Sequence, residues 1–505
     1  MLKVRNLLFL QSRWKSQRWA VQKRKKTNTQ RALESFDDFY GSVFGVRWKN
    51  IRAALLTEHK YIALINNFGD TDKTTNGMKL DGALNIKSLV NLARERLGHY
   101  DAKPAKGQDT TNRADETLDK LLREQEEREK HALYPKGATD STALIPDQLH
   151  YRKEEATGKK NVLENDYNAK NFEPSLEEAI ETDIHIDKSR LIDPQYGTCG
   201  LYDFMPANKI KGMEDWIPES DHYKYYQTQA DFPLNFELET EYYYPEKLNL
   251  YTYEMGNCSE YKPPKKCVTN VLSHYLMDGA SILPPLFLDI KEGDRVLDAC
   301  AAPGGKSLIM LQTLHPDILV CNDVQESRLN RVRKVMREYI FDYAENWENK
   351  RLAMSQCDAR YLDGYESYDK ILVDVPCTTD RHSLMEDDNN IFKTTRIKER
   401  LRIPELQADI LSNCLRLLKP GGSLVYSTCS LSPVQNDGVV HMALQKAFNE
   451  HGITVTVKDL SYVIKLFEDI FKFEHPKNIK YGQLVLPYLP ANYGPMYFSK
   501  LTRKS

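Results

Sequence analysis

Three stretches of the chain place chemically useful side chains directly after apolar runs. The first reads Val296-Leu297-Asp298-Ala299-Cys300-Ala301-Ala302-Pro303-Gly304-Gly305-Lys306-Ser307. An apolar run leads into a turn of small residues and then into a helical pattern. Small residues let the backbone approach a ligand closely, and a helix N-terminus presents free N–H groups. The pattern GxxxxGK[ST] is absent, so this turn is not the phosphate cradle of that motif. The next apolar run ends in Asn322-Asp323. Asp323 falls roughly 20 residues beyond the turn, the offset at which an acidic side chain grips ribose hydroxyls. Turn and carboxylate together point to a nucleoside cofactor.

The second stretch is Asp374-Val375-Pro376-Cys377-Thr378, and the third is Ser427-Thr428-Cys429-Ser430. Each sets a cysteine at the end of a strand-like run, where an open α/β sheet presents its active site. A buried cysteine is ordinarily a small hydrophobe, and that reading suffices for Cys300, Cys321 and Cys414. Two strand-end cysteines, one beside the carboxylate Asp374, suit covalent catalysis. Carbon 5 of a pyrimidine is a poor nucleophile. A thiolate adding at carbon 6 turns carbon 5 into an enamine-like centre that can attack a methyl sulfonium. A free thiol with a pKa near 8.5 is only a few per cent ionised at neutral pH, so the site is expected to stabilise a thiolate. A carboxylate near N3 and N4 would hold cytosine, and a base must then remove the carbon-5 proton. His382 and Arg381 follow the second motif. A single histidine is ordinarily structural, and Arg381 suits a phosphate as well as a base, so neither enters the catalytic set.

The elements that must position these groups alternate. Strands are expected at Arg295–Asp298, Ile318–Asn322, Lys370–Asp374 and Ser423–Ser427. Helices are expected at Lys306–Leu314, Arg328–Ile340 and Pro404–Leu418, the last stopped by Lys419-Pro420-Gly421-Gly422. Such alternation predicts an α/β fold, a parallel sheet with helices on both faces. Gln483–Val485 and Met496–Leu501 are expected to close it as a hairpin.

Upstream, the chain changes character. Ten Lys and Arg residues precede Glu34, the first acidic residue, and Leu7–Leu10, Trp14 and Trp19 are mixed among them. This is the pattern of a mitochondrial presequence over residues 1–31. A basic nucleic-acid arm and a nuclear localisation signal at Lys23–Lys26 are the rival readings. Residues 32–100 read as a helical N-terminal region, with Phe36, Phe39, Tyr40, Val43 and Phe44 on one face and the helical style continuing through Tyr61–Phe68. Residues 101–247 read as a charged, largely disordered insertion with one charged helix at Leu118–Leu133. Tyr242, Tyr243 and Tyr244 offer stacking surface for RNA, but Glu239 and Glu241 beside them would repel phosphate, which favours packing. Residues 248–505 form the catalytic domain. The 41% hydrophobic content supports a substantial core. The net charge of −2 is low for a free-standing nucleic-acid binder, so basic surface must be local or supplied by a partner. Nine cysteines without a CxxC pair argue for free thiols in a reducing compartment and against a zinc ribbon, and no metal is expected. No apolar run approaches the roughly 18 residues of a membrane span.

The strings DACAAPGGKS, DVPCTTDRHS and YSTCSLSPVQND resemble the signature motifs of the Sun-domain (Nop2/Sun) RNA cytosine-5 methyltransferase family. The resemblance covers roughly residues 251 to 501. YLMDGAS, DRHSLMEDDNNIFK, GPMYFSK and the upstream ALESFDDFY…LLTEHKYIALINNF are similar to the family's mitochondrial ribosomal-RNA branch. The resemblance implies a Rossmann-like class I methyltransferase fold with S-adenosylmethionine as cofactor. It implies that Gly304, Gly305 and Lys306 line the methionine side. Asp323 would bind the ribose with Arg328 nearby, and Asp358 would sit by the adenine. Asp374 would lie between cofactor and cytosine, with Cys429 as nucleophile and Cys377 in release of the adduct. Possession of both cysteines implies an RNA rather than a DNA substrate. Ala359 departs from the glycine expected after the adenine-side Asp358. The target cytosine must be unpaired or flipped, since carbon 6 is stacked within a helix. The branch implies the mitochondrial matrix, small-subunit ribosomal RNA, mitochondrial ribosomal subunits, and a helical-repeat partner of the mitochondrial termination-factor type. A mitochondrial tRNA methyltransferase and a mainly non-catalytic ribosome-assembly factor stay open as alternatives.

Overall fold

The computed structural model describes residues 26–101 and 232–504. Most of the presequence segment, the Leu118–Leu133 helix, Cys199 and most of the 101–247 insertion lie outside the described residues.

The first helix, α1 (Asn28–Phe44), opens with a capping box. Thr27 Oγ1 accepts from the Gln30 amide at 3.2 Å, and the Gln30 side chain accepts from the Thr27 amide at 3.1 Å. Two donors that a helix start leaves orphaned are thereby satisfied. Asp387 Oδ1 accepts from the Asn28 and Thr29 amides at 2.9 and 3.1 Å, an anion on the helix's positive end. Residues 28–31 therefore belong to this helix, and the boundary expected at 31/32 falls inside it. Helices α2 (Trp48–Leu55), α3 (Thr71–Leu80) and α4 (Ile86–Asp101) follow. The helical style expected through Tyr61–Phe68 is corrected. Tyr61–Ile65 is a strand, β1, with four consecutive buried residues. A short continuous apolar run suits either element, and pairing decides between them. Here β1 lies between β4 (Leu250–Thr252) and β5 (His274–Asp278), antiparallel to both, and β2 (Leu84–Asn85) edges the four-stranded sheet.

The larger, nine-stranded sheet carries the order β3-β11-β13-β10-β9-β6-β7-β8, with β12 on β13. Its members are β3 (Asn235–Leu238), β6 (Arg295–Asp298), β7 (Ile318–Asn322), β8 (Leu352–Ser355), β9 (Tyr368–Asp374), β10 (Leu418–Thr428), β11 (Val455–Asp459), β12 (Gln483–Val485) and β13 (Met496–Arg503). Strands β8-β7-β6-β9-β10 are parallel, and β13 runs antiparallel between β10 and β11. The sheet is thus mixed at one end. Helices α5 (Leu283–Phe287), α6 (Gly305–Gln312) and α7 (Glu326–Tyr339) form one packed group. Helices α9 (Ile397–Leu417) and α10 (Val439–His451) form another, while α8 (Asp380–Met385) packs on α1.

Residues 232–247 belong with this sheet rather than with the insertion. Strand β3 pairs in parallel with β11, and Phe232 is buried. Tyr242 is buried against Phe287 and Phe467, at ring distances of 5.6 and 5.5 Å. That removes it from any stacking surface, whereas Tyr243 is 65% exposed. Helix α1 is no appendage either. Phe36, Tyr40 and Phe44 share one apolar core with Val373, Leu411 and Tyr426 of the large sheet and its helices.

Candidate active site

Strands β6 and β9 are neighbours, yet the chain proceeds from β6 to β7 and from β9 to β10 on opposite sides. A crevice opens at the carboxyl ends of strands at such a switch point. Here it is a cavity of about 240 Å³. Asp298, Cys300, Gly305, Lys306 and Asp374 line it from these strand ends, and Tyr275, Met277 and Asp278 of β5 line it from the smaller sheet.

The glycine turn is required sterically. Gly304 has φ +112°, and a Cβ there would lie 3.3 Å from the Val332 backbone. A Cβ on Gly305 would lie 3.0 Å from the Tyr275 ring. Helix α6 therefore starts at the cavity wall. Asp298 is fully buried. Its Oδ2 accepts from Ser307 Oγ at 2.5 Å, while Oδ1 has no hydrogen bond of normal geometry. Burial pushes its carboxyl up to about 7, against the pull of Ser307.

Asp323 is buried at the end of β7. Its Oδ1 accepts from the Gln325 amide at 3.1 Å, and Arg328 lies 3.5 Å from Oδ2. The neighbouring Asn322 amide bridges the Ala299 and Cys357 carbonyls, locking the ends of β6 and β7 to the loop that carries Asp358. Asp358 itself accepts from the Arg360 guanidinium at 2.7 Å and from the Arg360 amide at 3.0 Å. Those hydrogen bonds hold its carboxyl below the usual range. Arg360 had no counterpart in the sequence reading. Ala359 is buried, and Asn413 donates to its carbonyl at 2.9 Å.

Lys306 joins the two halves of the site. Its Nζ donates to Asp374 Oδ2 at 2.6 Å, and Ser427 Oγ donates to Asp374 Oδ1 at 2.8 Å. The Asp374 charge raises the lysine above its ordinary value despite burial. Beyond this pair, the sulfurs of Cys377 and Cys429 are 3.2 Å apart. The contact with Cys377, burial, and the charge of Asp374 raise the Cys429 thiol well above its usual range, and Lys306 only partly offsets them. In the free site these surroundings favour the thiol form of Cys429, the opposite direction from the thiolate stabilisation expected. Burial also raises Cys300, Cys321 and Cys414, the last to about 12; Cys321 and Cys414 are buried as expected, whereas Cys300 is only partly buried and lines the cavity.

Arg381 is engaged within the protein rather than held free for a phosphate. Its guanidinium is spent on the carbonyls of Gly494, Ala54 and Thr57 and on Asn492. His382 lies 3.2 Å from the Asp388 carbonyl. Sequence reasoning gave no role to Asp298, although it ends the strand that opens the first motif, and none to Tyr275 or Asp278. Those two arrive on β5, whose partner β1 had been read as helical.

This strand order, with one antiparallel strand and a glycine turn facing a strand-end carboxylate, defines a Rossmann-like class I methyltransferase. The residues fit S-adenosylmethionine. Three carboxylates, Asp278, Asp298 and Asp374, face one cation, Lys306, on the cavity wall, which suits a sulfonium cation, and the buried Asp298 Oδ1 has no hydrogen bond of normal geometry within the protein. The 16S rRNA methyltransferase RsmB/F family model matches residues 285–501. The chain is 31% identical to the 5-cytosine rRNA methyltransferase nsun-4 of Caenorhabditis elegans, over 98% of this chain and 97% of that protein. It is 32% identical to the 5-cytosine rRNA methyltransferase NSUN4 of Xenopus laevis, over 96% and 93%. It is 33% identical to the mitochondrial tRNA (cytosine(34)-C(5))-methyltransferase of Mus musculus, over 52% and 72%. The chain belongs to the RsmB/F-type, Nop2/Sun family of S-adenosylmethionine-dependent RNA cytosine-5 methyltransferases.

Proposed function

We propose that the protein methylates carbon 5 of a cytosine in mitochondrial small-subunit ribosomal RNA through a Cys429 adduct at carbon 6, and so supports mitochondrial ribosome assembly. The observation that carries this reading is the pair of cysteine sulfurs 3.2 Å apart, next to the Lys306–Asp374 ion pair at the cavity. The two relatives matched over nearly their whole length are named as ribosomal-RNA enzymes.

Bound S-adenosylmethionine supplies an electrophilic methyl group. Gly304, Gly305 and Lys306 form the wall on its methionine side. Asp323 takes the ribose hydroxyls, Arg328 steadies Asp323, and Asp358 borders the adenine. Asp374 holds the cytosine through its N3 and N4 edge, and Lys306 and Ser427 fix the carboxylate that does so. Cys429 adds to carbon 6 while its thiol proton passes by way of Asp374 to N3 of the ring, so the C5=C6 pair makes carbon 5 nucleophilic. Carbon 5 then takes the methyl group, whose former bonding pair stays on the cofactor's sulfur. Cys377, in contact with Cys429, serves the later step. Once the carbon-5 proton has left, the C5–C6 double bond re-forms and Cys429 departs.

The basic, acid-free start of the chain addresses it to the mitochondrial matrix, and a helical-repeat protein of the mitochondrial termination-factor type supplies the basic surface that a net charge of −2 does not. Such a partner should raise affinity for ribosomal RNA, and unchanged affinity on adding it would remove it from the account. The mouse mitochondrial tRNA relative, 33% identical, supports a tRNA substrate as second reading. Incubation with labelled S-adenosylmethionine and both RNA classes separates the two. Label at cytosine carbon 5 of small-subunit ribosomal RNA is expected; label in tRNA alone would overturn the ribosomal reading. If Cys429→Ala fully restored mitochondrial translation in cells lacking the protein, assembly rather than catalysis would be its main task.

A further inference from the structure

Behind the two cysteines lies a buried polar cluster that no step of the reaction uses. Its centre is Asp380, which is fully buried. Asp380 Oδ2 accepts from Tyr40 Oη at 2.7 Å and from the Leu431 amide at 2.7 Å. Asp380 Oδ1 accepts from Thr378 Oγ1 at 2.5 Å, and Ser430 Oγ lies 3.2 and 3.3 Å from the two oxygens. Thr378 and Ser430 also meet each other at 3.0 Å. Thr378 directly follows Cys377, and Ser430 directly follows Cys429. Gln435 adds a second tie, accepting from the Thr378 amide at 3.1 Å and donating to Thr378 Oγ1 at 3.2 Å.

One carboxylate thus holds both cysteine-bearing loops. Burying a charge is costly unless several donors surround it, and removing any donor leaves that cost uncompensated. The cluster is therefore stiff as a unit. One of its donors comes from 340 positions earlier in the chain, on helix α1. The Tyr40 ring is fixed in turn by Phe36, Phe44 and Trp48, at centroid distances of 5.0, 6.1 and 5.4 Å.

We propose that Asp380, held by Tyr40, is a positioning residue that sets the placement of Cys429 relative to Cys377, which makes helix α1 part of the active-site framework. The proposal rests on the two-cysteine reading above. A nucleophile displaced by about 1 Å loses on the order of a hundredfold in rate, so losing one hydrogen bond of the cluster should register.

The test uses the full chain with Tyr40→Phe, which removes one hydroxyl and keeps the ring. Three quantities are measured: affinity for S-adenosylmethionine, the single-turnover rate of methyl transfer to RNA, and the pH profile of Cys429 alkylation by iodoacetamide, read by peptide mass spectrometry. The expected result is cofactor affinity within about twofold of wild type, a single-turnover rate lower by about tenfold, and a displaced alkylation profile. The groups that set this profile are Cys377, Asp374 and Lys306. Asp380→Asn should act in the same direction and more strongly; if it does not fold, Tyr40→Phe decides alone. A Tyr40→Phe protein with wild-type rate and wild-type alkylation profile overturns the proposal. So does a rate loss matched by an equal loss of cofactor affinity, which marks general loosening. Failure of the two-cysteine reading shows elsewhere, as activity retained by Cys429→Ala, while the alkylation profile still reports on placement.

Discussion

The two parts of the proposed site, the cavity assigned to the cofactor and the cysteine pair beside it, are held by different means. The cofactor part is built mainly by one strand–turn–helix passage, Asp298 to Ser307, with Asp323 from the adjacent strand and Tyr275, Met277 and Asp278 of β5 closing the cavity from the smaller sheet. Its shape comes from backbone conformation and the absence of side chains at Gly304 and Gly305. The cysteine part is built by side chains from far apart in the chain. Cys377 and Cys429 come from separate strand ends; Asp374 beside the first is steadied by Ser427 beside the second and by Lys306 from helix α6. Tyr40 reaches the cluster behind them from the first described helix. A site made locally tolerates distant changes, whereas a site made by convergence inherits the stability of everything that converges.

The contrast can be broken in graded ways. Cys429→Ala removes the bond-forming atom and should lower methyl transfer on the order of 10⁴-fold or more while cofactor affinity stays near wild type. Retained transfer in a filter-binding assay would shift the nucleophile elsewhere. Asp374→Asn strips Lys306 of its partner and weakens the hold on cytosine. Its kcat should fall about 10²–10³-fold, with a smaller change in cofactor affinity. Equal losses in both would place Asp374 wholly in the cofactor part. Asp323→Ala should do the reverse. The dissociation constant of S-adenosylmethionine, measured by calorimetry, should rise about 10–100-fold, the value of one or two hydrogen bonds from a charged acceptor.

A pH effect comes next in size. The Asp298 carboxyl is pushed up to about 7. Below that pH it is neutral, and above it carries the charge that attracts a sulfonium cation. Cofactor affinity should therefore strengthen as pH rises from 6 to 8, by up to about tenfold for one linked proton. Asp298→Asn should flatten that profile, and an unflattened profile would assign the effect to another group. The smallest expected effect is none. Tyr243→Ala, at a 65% exposed position, should leave stability within about 0.5 kcal/mol and RNA affinity unchanged. A clear loss of RNA affinity would restore the stacking surface that burial of Tyr242 argues against.

The same contrast governs what the sequence could reveal. The order of β6, α6, β7, α7, β9, α9 and β10 followed from hydrophobic runs and glycine stops, because each is a local pattern. Placing Asp374 and the two cysteines at strand ends, and Gly305 and Lys306 at the helix start that follows another, anticipated the side of the sheet on which Lys306, Asp374, Cys377 and Cys429 meet. Tyr61–Ile65 was misread because five apolar residues suit a helix turn or a strand, and only pairing with β4 and β5 resolves them. Tyr275 and Asp278 stand in the YLMDGAS string without a role, because only the pairing of β5 with β1 shows the small sheet on which they reach the cavity. Tyr40 was recognised as a core residue of an apolar face, yet its hydroxyl's partner lies in another part of the chain, and no periodicity encodes that. Electrostatics were the least visible. A raised Cys429 thiol depends on a sulfur 3.2 Å away and on burial, neither of which spacing along the chain conveys.

The most direct test of the central claim is to trap the adduct and locate it. Small-subunit ribosomal RNA containing 5-azacytidine offers a ring with nitrogen in place of carbon 5, so no carbon-5 proton exists to be removed and the enzyme stays bound. After digestion with nuclease and protease, mass spectrometry identifies the cysteine that carries the nucleotide. The account predicts the nucleotide on the peptide containing Cys429. A nucleotide on the peptide containing Cys377 would contradict it.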